Sequence, residues 1–304
     1  PYQESLRPGA PHKAEEILRD LKYVIARFKP TKIFLSHPAD HNSDHIALYL
    51  FTLVATWDLN TRLTPSLHPY LTHFKRWPTP RGYKPASLLR PPKIYRYLIP
   101  WEESRLTQRY TATKLLAIKH HRSQYRPSHR YLRSFVRKNE LFGRPPVVLL
   151  KPDSKAYALT ANRTQFVTQL PEHLTTQLGS RFVGVEEEFM QLNSETLTAT
   201  IKLSKPFSKN VGLSLYLFGY RQGRPFANMP KINLRFSYRR FRIFDKNQAL
   251  DRGDLRIRQR PLKLTAQIPL KTLGNPQILL TGARTSFGRV PLDWISWRTL
   301  VVSK

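Results

Sequence analysis

The hydrophobic pattern of this 304-residue chain changes its period near residue 148, and this change limits what the chain can fold into. Before that point, helical spacing of apolar residues, as in residues 14–28, is interrupted by short apolar runs such as residues 32–36. After it, apolar and polar residues alternate, and turn signals separate the runs. The pattern predicts an α/β domain over residues 1–148, followed by an all-β sandwich domain over residues 149–304.

The second half contains several runs with an apolar residue at every second position. Three of them begin at Leu197, Ile232 and Leu262, and each is long enough for one strand. The run Leu213–Phe218 is apolar on both faces, which is typical of a central strand. We expect eight or nine strands, the last being Trp297–Val302. In pattern alone this half resembles the β-sandwich modules that accompany carbohydrate-active enzymes.

A dense group of potential metal ligands lies between a predicted strand, Lys32–Ser36, and a predicted apolar helix, Ile46–Trp57. In open α/β sheets the carboxyl ends of strands are where ligands bind, and imidazole and carboxylate groups together can bind zinc. An alternative is structural: Asp44 caps the helix and His45 fills its first turn. The group consists of His37, Asp40, His41, Asp44 and His45.

The segment Asp40–Tyr49, with the sequence DHNSDHIALY, resembles the second metal motif of the PIG-L/LmbE family of zinc-dependent N-acetylglucosaminyl deacetylases. The helix of residues 14–28 and the later segments Lys114–Gln124 and Ser134–Gly143 are similar to family features in the same order. The resemblance covers about the first half of the chain. It implies a Rossmann-like fold, a zinc cofactor, and hydrolysis of an N-acetyl group from an N-acetylglucosamine-bearing glycoconjugate.

The resemblance also implies roles for individual residues. His45 would bind zinc. Asn42 occupies the position at which most relatives carry a histidine that stabilises the oxyanion, and His41, one residue earlier, remains a candidate for that role. Asp44 would orient or polarise a neighbouring histidine.

Family members carry Ala-His-Pro-Asp-Asp-Glu after their first strand, with two zinc ligands and the general base in it. Nothing before Lys32 matches this motif. We expect the motif to lie upstream of Pro1, and this stretch of chain to be inactive without it. The alternative is a non-catalytic relative that binds a sugar or a polyanion. We reject His37–Asp40 as a degenerate first motif for two reasons. A helix precedes the strand that leads into these residues, and the second motif, which starts at Asp40, would begin inside the first.

The rest of the first half gives weaker signals. The expected elements are an irregular stretch Leu59–Pro92, a strand Lys93–Ile99, a helix Arg105–Gln124 capped by Ser104, and a helix Tyr131–Leu141. His68 and His73 lie in the irregular stretch and are interpreted as surface residues. His120 and His121 either lie beside the site or meet the dipole of the helix at its last turn, and both alternatives stay open.

The formal charge of +31 points to anionic partners. Residues 1–150 hold 26 Lys/Arg against 10 Asp/Glu, and residues 151–304 hold 25 against 10, so both halves carry the excess. Such a field attracts anionic glycans, lipid headgroups or nucleic acid. No nucleic-acid-binding motif accompanies it, so we expect no specific nucleic acid, although binding by charge alone stays open. A solvated surface without a dedicated partner is the other interpretation.

Composition excludes several classes of site. The chain contains no cysteine, so disulfides, thiolate catalysis and cysteine metal sites are ruled out, and a metal must use His, Asp or Glu. No run of eighteen apolar residues is present, so we expect no transmembrane segment. A cytoplasmic and an exported location are both compatible with the sequence, which also leaves the oligomeric state open.

Overall fold

The structure is a computed structural model that describes the chain except residues 1–2, 5, 12, 60–63, 160–162, 166–171, 239 and 304. The described residues form five helices and seventeen strands, so the content is mixed α/β. The chain divides into two compact units, described separately. The α/β unit comprises Lys29–Leu50 and Pro65–Pro145, and the β-rich unit comprises Pro1–Phe28, Phe51–Thr64 and Pro146–Lys304.

The five helices are between 8 and 17 residues long. α1 carries Glu15 and Glu16 in its first turn and Arg27 in its last, and these charges complement its dipole. Among the described residues, none of the helices combines the length and the apolar character needed to cross a bilayer. Their bounds are α1 Ala14–Phe28, α2 Ser43–Leu59, α3 Gln108–His120, α4 Arg122–Leu132 and α5 Glu172–Gly179.

The α/β unit is built on two parallel strands, β1 (Lys32–Ser36) and β2 (Ser66–Tyr70), which pair with Lys32 opposite Ser66. The prediction of β1 is confirmed, and the predicted helix after it is confirmed as α2 with a start three residues earlier. β2 lies in the stretch expected to be irregular. Pro69 of β2 has no N–H to donate to a neighbouring strand, so its presence in the sequence argues against a strand. A proline is nevertheless tolerated at the edge of a sheet. With two parallel strands described, the Rossmann-like organisation stays a prediction.

The predicted strand Lys93–Ile99 is wrong. Residues Lys93–Tyr95 form a 3-10 turn, and Tyr95 is fully buried among Ala39 and Ile99. The strand comes later as β3 (Trp101–Arg105), because these residues pair antiparallel with β4 (Asn139–Gly143).

The two predicted helices of this region also need correction. Ser104 lies in β3 and caps no helix; Thr107 caps α3 instead, with its side chain accepting from the N–H of Tyr110 at 3.3 Å. The helix expected over Arg105–Gln124 is therefore two helices, α3 and α4. The helix expected over Tyr131–Leu141 is wrong beyond its first residues: Arg133–Phe135 form a 3-10 turn, and Asn139–Leu141 belong to β4, which pairs with β3.

The β-rich unit contains thirteen strands among its described residues. The sequence predicted fewer because several strands have only two or three residues and so show no alternation. The bounds are β5 Val148–Leu150, β6 Tyr157–Ala158, β7 Arg163–Gln165, β8 Val185–Asn193, β9 Thr196–Leu203, β10 Val211–Tyr220, β11 Lys231–Ser237, β12 Phe241–Asp245, β13 Gln248–Leu250, β14 Arg256–Arg260, β15 Lys263–Pro269, β16 Ile278–Phe287 and β17 Val290–Val302.

These strands form an eight-stranded sheet, in the order β13-β12-β11-β10-β16-β17-β5 with β7 beside β17, and a five-stranded sheet, in the order β14-β15-β9-β8-β6. The central position predicted for β10 is confirmed, since it pairs with β11 and β16. Both sheets bury residues in one apolar cluster, including Leu197 and Ile201 of β9 and Leu213 and Leu217 of β10. Full burial of each such side chain contributes about 1.5–3 kcal/mol.

Two fully buried carboxyl groups, those of Glu188 and Asp293, lie among the described residues of the β-rich unit. Glu188 of β8 is fully buried, and its Oε1 accepts from the hydroxyl of Thr281 at 3.4 Å. Burial raises the pKa of Glu188 to about 7, against the opposing effects of Arg298 and Thr281. The folded state therefore holds this proton more tightly than the unfolded chain does.

We predict that Glu188 makes the protein less stable as pH rises from about 4.5 to about 7. Glu188→Gln keeps the neutral form, so at pH 8 its free energy of unfolding should exceed that of the original protein by about 3 kcal/mol. At pH 4 the two proteins should agree. Urea unfolding of both proteins at both pH values measures these free energies. The same difference between the two proteins at pH 4 and at pH 8 would refute the raised pKa of Glu188.

Candidate metal centre

The loop after β1 is held against the segment after β2. The N–H of His37 donates to the carbonyl oxygen of Tyr70 at 2.9 Å, and the N–H of His41 donates to that of His73 at 2.9 Å. Parallel strands place their carboxyl ends at the same edge of a sheet, so both segments leave the sheet together. Side chains from two distant stretches of the sequence therefore meet at this edge.

Asp40 is the best-anchored side chain of this edge. It is fully buried, and one oxygen accepts from the N–H of Asn42 at 2.9 Å. The other accepts from the N–H groups of Thr72 at 3.1 Å and His73 at 2.8 Å. Three backbone donors fix the orientation of the carboxylate, and they leave one lone pair, on Oδ1, for a further partner.

The start of α2 presents His45 to this carboxylate. Asn42 caps the helix, because its Oδ1 accepts from the N–H of Asp44 at 2.9 Å. The interpretation of Asp44 as the cap is therefore wrong: Asp44 lies in the first turn, where its charge complements the helix dipole. His45 follows it, and its Nδ1 lies 3.2 Å from Oδ1 of Asp40.

Asp40, His45 and His73 form the candidate metal centre. Each offers one ligand atom, and the three atoms lie within 4.8 Å of one another. Nδ1 of His45 is buried and is not aligned for a hydrogen bond to Asp40, although the two atoms are 3.2 Å apart. Ligand atoms that share a tetrahedral zinc lie roughly 3.4 Å apart, so the distance of 3.2 Å between Nδ1 of His45 and Oδ1 of Asp40 fits a shared metal.

The solvent exposure of the three side chains increases from Asp40 through His45 to His73. Asp40 is buried, the side chain of His45 is 29 % exposed, and His73 is exposed. A set of three protein ligands that is open on one side leaves room for water, as catalytic zinc sites do and closed structural sites do not.

Tyr131 supports His73 from the other side. Its ring stacks on the imidazole with centroids 6.2 Å apart, and its hydroxyl donates to the carbonyl oxygen of Thr72. Burial, together with the negative charge of Asp40, raises the pKa of Tyr131 well above its usual range. The phenol therefore stays protonated and keeps donating. The imidazole rings of His45 and His73 lie 5.1 Å apart at 40°.

The structure places the four predicted site residues at this edge in different surroundings. His45, predicted as the zinc ligand, belongs to the candidate metal centre. Asn42 and Asp44 are exposed, and the carboxylate beside His45 is that of Asp40. The ring of His41 packs against Phe74, with centroids 5.3 Å apart. The roles proposed for Asn42, His41 and Asp44 stay predictions.

His68, His120 and His121 fall outside the candidate metal centre. His68 is buried, with Nε2 3.0 Å from Oγ of Ser66 and Nδ1 3.3 Å from Glu102, so its interpretation as a surface residue is wrong. His120 and His121 are exposed at the end of α3, where histidines meet the helix dipole favourably.

The sequence did not indicate His73 as a candidate ligand and gave no role to Asp40. The missing signal was β2: once residues 66–70 form a parallel strand beside β1, His73 follows the neighbouring carboxyl end. Asp40 lay inside the motif, but its three backbone donors include two residues more than thirty positions away.

A scan against models of protein families and a search of curated proteins found no match for this chain. The chemistry of the site therefore has to be inferred from its own residues and from the motif around them.

We predict that zinc binds with one site per chain, and that His45→Ala and His73→Ala each weaken binding by at least about 100-fold. Loss of an indirect partner of a metal site typically costs 10–100-fold, and loss of a direct ligand costs more. His121→Ala, an exposed histidine of the same unit, is the matched control and should bind zinc normally. Calorimetric titration measures all three, and unchanged affinity in His73→Ala would remove it from the ligand set.

Proposed function

We propose that this protein is a zinc-dependent hydrolase that removes an N-acetyl group from an N-acetylglucosamine-containing substrate. The observation that carries the proposal is the meeting of Asp40, His45 and His73 at the carboxyl edge of two parallel strands. The substrate class comes from the resemblance of Asp40–Tyr49 to the second metal motif of the PIG-L/LmbE deacetylases. The Rossmann-like fold and the accessory β-sandwich belong to the same proposal.

The donor set fits zinc. Two imidazoles and one carboxylate are ligands that zinc accepts in catalytic sites, and the chain has no thiolates to offer. His45 is the ligand that the motif and the geometry share. Asp40 and His73 are the further ligands that the described residues supply. In this proposal they take the place of the two zinc ligands that family members carry in their first motif, so the proposal replaces the expectation that this stretch is inactive without that motif. Zinc bound there supplies Lewis acidity and a water of lowered pKa.

The chain's own residues have distinct tasks in this proposal. The backbone donors to Asp40 and the stacking of Tyr131 on His73 keep the ligands in place before substrate binds. The overall reaction adds water across the amide bond and yields acetate and a free amine. A hydrogen-bond donor is needed where negative charge develops on the carbonyl oxygen.

Asn42 is the proposed donor for that oxygen. Its Oδ1 is used in the cap, so the donating Nδ2 is the end of the exposed side chain that can face substrate. His41 is the second candidate for the same contact. Asp44, one residue before His45, is proposed to orient a histidine of the site when substrate is bound.

We predict zinc-dependent release of acetate from N-acetylglucosamine conjugates. A chelator should abolish the release, and added zinc should restore it. Mass spectrometry of the sugar product identifies the free amine. Zinc binding without any acetate release would instead support the non-catalytic sugar- or polyanion-binding alternative.

Asp44→Ala should retain one zinc per chain but lower kcat by about 10- to 100-fold, because a positioning carboxylate is lost while the ligands remain. Glu103→Ala, an acidic residue of the same unit outside the candidate metal centre, serves as the control and should keep full activity. Zinc content by atomic absorption and kcat from acetate release separate the two effects. Complete loss of zinc in Asp44→Ala would refute the positioning role.

A further inference from the structure

A basic groove lies on the outer face of the five-stranded sheet of the β-rich unit. It is a concavity of about 630 Å³. We call it the arginine groove, because Arg252, Arg256, Arg258, Arg260 and Lys263 line it, together with polar side chains of β9 and β15.

The alternation of β14 builds the wall of this groove. Arg256, Arg258 and Arg260 point outward and are exposed, whereas Ile257 and Gln259 between them are half-buried. Residues two apart on a strand lie roughly 6.7 Å apart, so the three arginine side chains leave the backbone at regular intervals along one face.

The neighbouring strands continue the groove with hydrogen-bonding side chains. Gln267 and Thr265 of β15 lie opposite Arg256 and Arg258, and Thr200 of β9 lies opposite Thr265. Directly opposed residues of antiparallel strands point to the same face. The face therefore offers hydroxyl and amide groups beside the row of arginines.

The positive charge of the groove is not neutralised locally. Within the described part of the chain, Arg256, Arg258 and Arg260 have no salt bridge. The carboxylate of the nearby Asp254 is held by Lys271 at 2.5 Å. A second concavity, of about 780 Å³, shares Arg252 and Arg256 with the first, but it adds no further basic residue and is lined by Asp254, so the basic residues are concentrated in the arginine groove. Unpaired arginines in a cleft concentrate anions.

We propose that the arginine groove binds a linear acidic polysaccharide through its carboxylate groups. Guanidinium forks match carboxylates in bidentate geometry, and the threonine and glutamine side chains can bond sugar hydroxyls. A row of cations at regular spacing suits a polymer with repeated charges. Charged residues on an edge strand also prevent unwanted pairing of sheets, but that purpose needs neither a concavity nor polar neighbours.

Two other polyanions fit less well. Single-stranded nucleic acid is normally bound by stacking of bases on aromatic rings, and no aromatic residue is among the described residues that line either concavity. A lipid bilayer presents a broad surface of headgroups, whereas three of the five basic residues of the groove form a single row along β14.

The test compares two variants that lose the same number of charges. One is Arg256→Gln, Arg258→Gln and Arg260→Gln combined. The control combines Arg224→Gln, Arg242→Gln and Arg289→Gln, three exposed arginines of the same unit outside the groove. Binding of polygalacturonate is measured by calorimetry at several salt concentrations, with its fully methyl-esterified form as the uncharged probe. Chelator is present throughout, so the result does not depend on the metal centre.

The groove variant should lose about tenfold or more in affinity for polygalacturonate, while the control changes by less than about threefold. The esterified polymer should not bind. Thermal midpoints should match in all three proteins, and the three single arginine variants should each show part of the loss.

Three results would overturn the proposal. Equal losses in both triple variants would mean that net charge alone attracts the polymer. Tighter binding of a single-stranded oligonucleotide at the same salt, lost in the groove variant, would assign the groove to nucleic acid. Groove-dependent binding to vesicles that contain phosphatidylserine, without binding to polygalacturonate, would assign it to a membrane surface.

Discussion

The parallel pairing of β1 with β2 is the constraint on which the candidate site depends. It brings the loop after β1 and the segment after β2 to one edge, where the buried carboxylate of Asp40 accepts backbone N–H groups from both. Without this pairing, His45 and His73 would belong to unrelated surfaces. The hydrogen bonds that hold these two segments together therefore also fix the position of a candidate metal ligand.

Electrostatics make this edge unusual within the protein. The chain holds 51 basic and 20 acidic residues, so a divalent cation meets repulsion over much of the surface. A cation site therefore needs negative charge close by, and Asp40 provides it from a buried position where water screens little. The β-rich unit shows the opposite arrangement, because the arginines of the groove lie together and form no salt bridge with a carboxylate among the described residues. One unit is suited to a cation and the other to a polyanion.

The sequence predicted correctly those helices and strands that are determined by the pattern of their own residues. α1, β1 and the long strands of the β-rich unit follow from periodicity, because each buries a face of its own apolar residues. It failed where a partner strand decides the outcome: Ser104 joined β3 through β4, and β2 formed despite Pro69. The site follows the same rule. His45 lies in a local motif and was predicted, whereas His73 becomes a ligand candidate through a strand pairing that the sequence obscured.

The direct test of the account is the coordination of zinc in the loaded protein, measured by X-ray absorption at the zinc edge. The account predicts two imidazole nitrogens and a carboxylate oxygen within about 2.0–2.2 Å, with the remaining position filled by a light atom from solvent. Loss of one imidazole from the first coordination shell in His73→Ala would agree with it. A shell with a single imidazole in the unaltered protein, or no retained zinc, would contradict the ligand set of Asp40, His45 and His73.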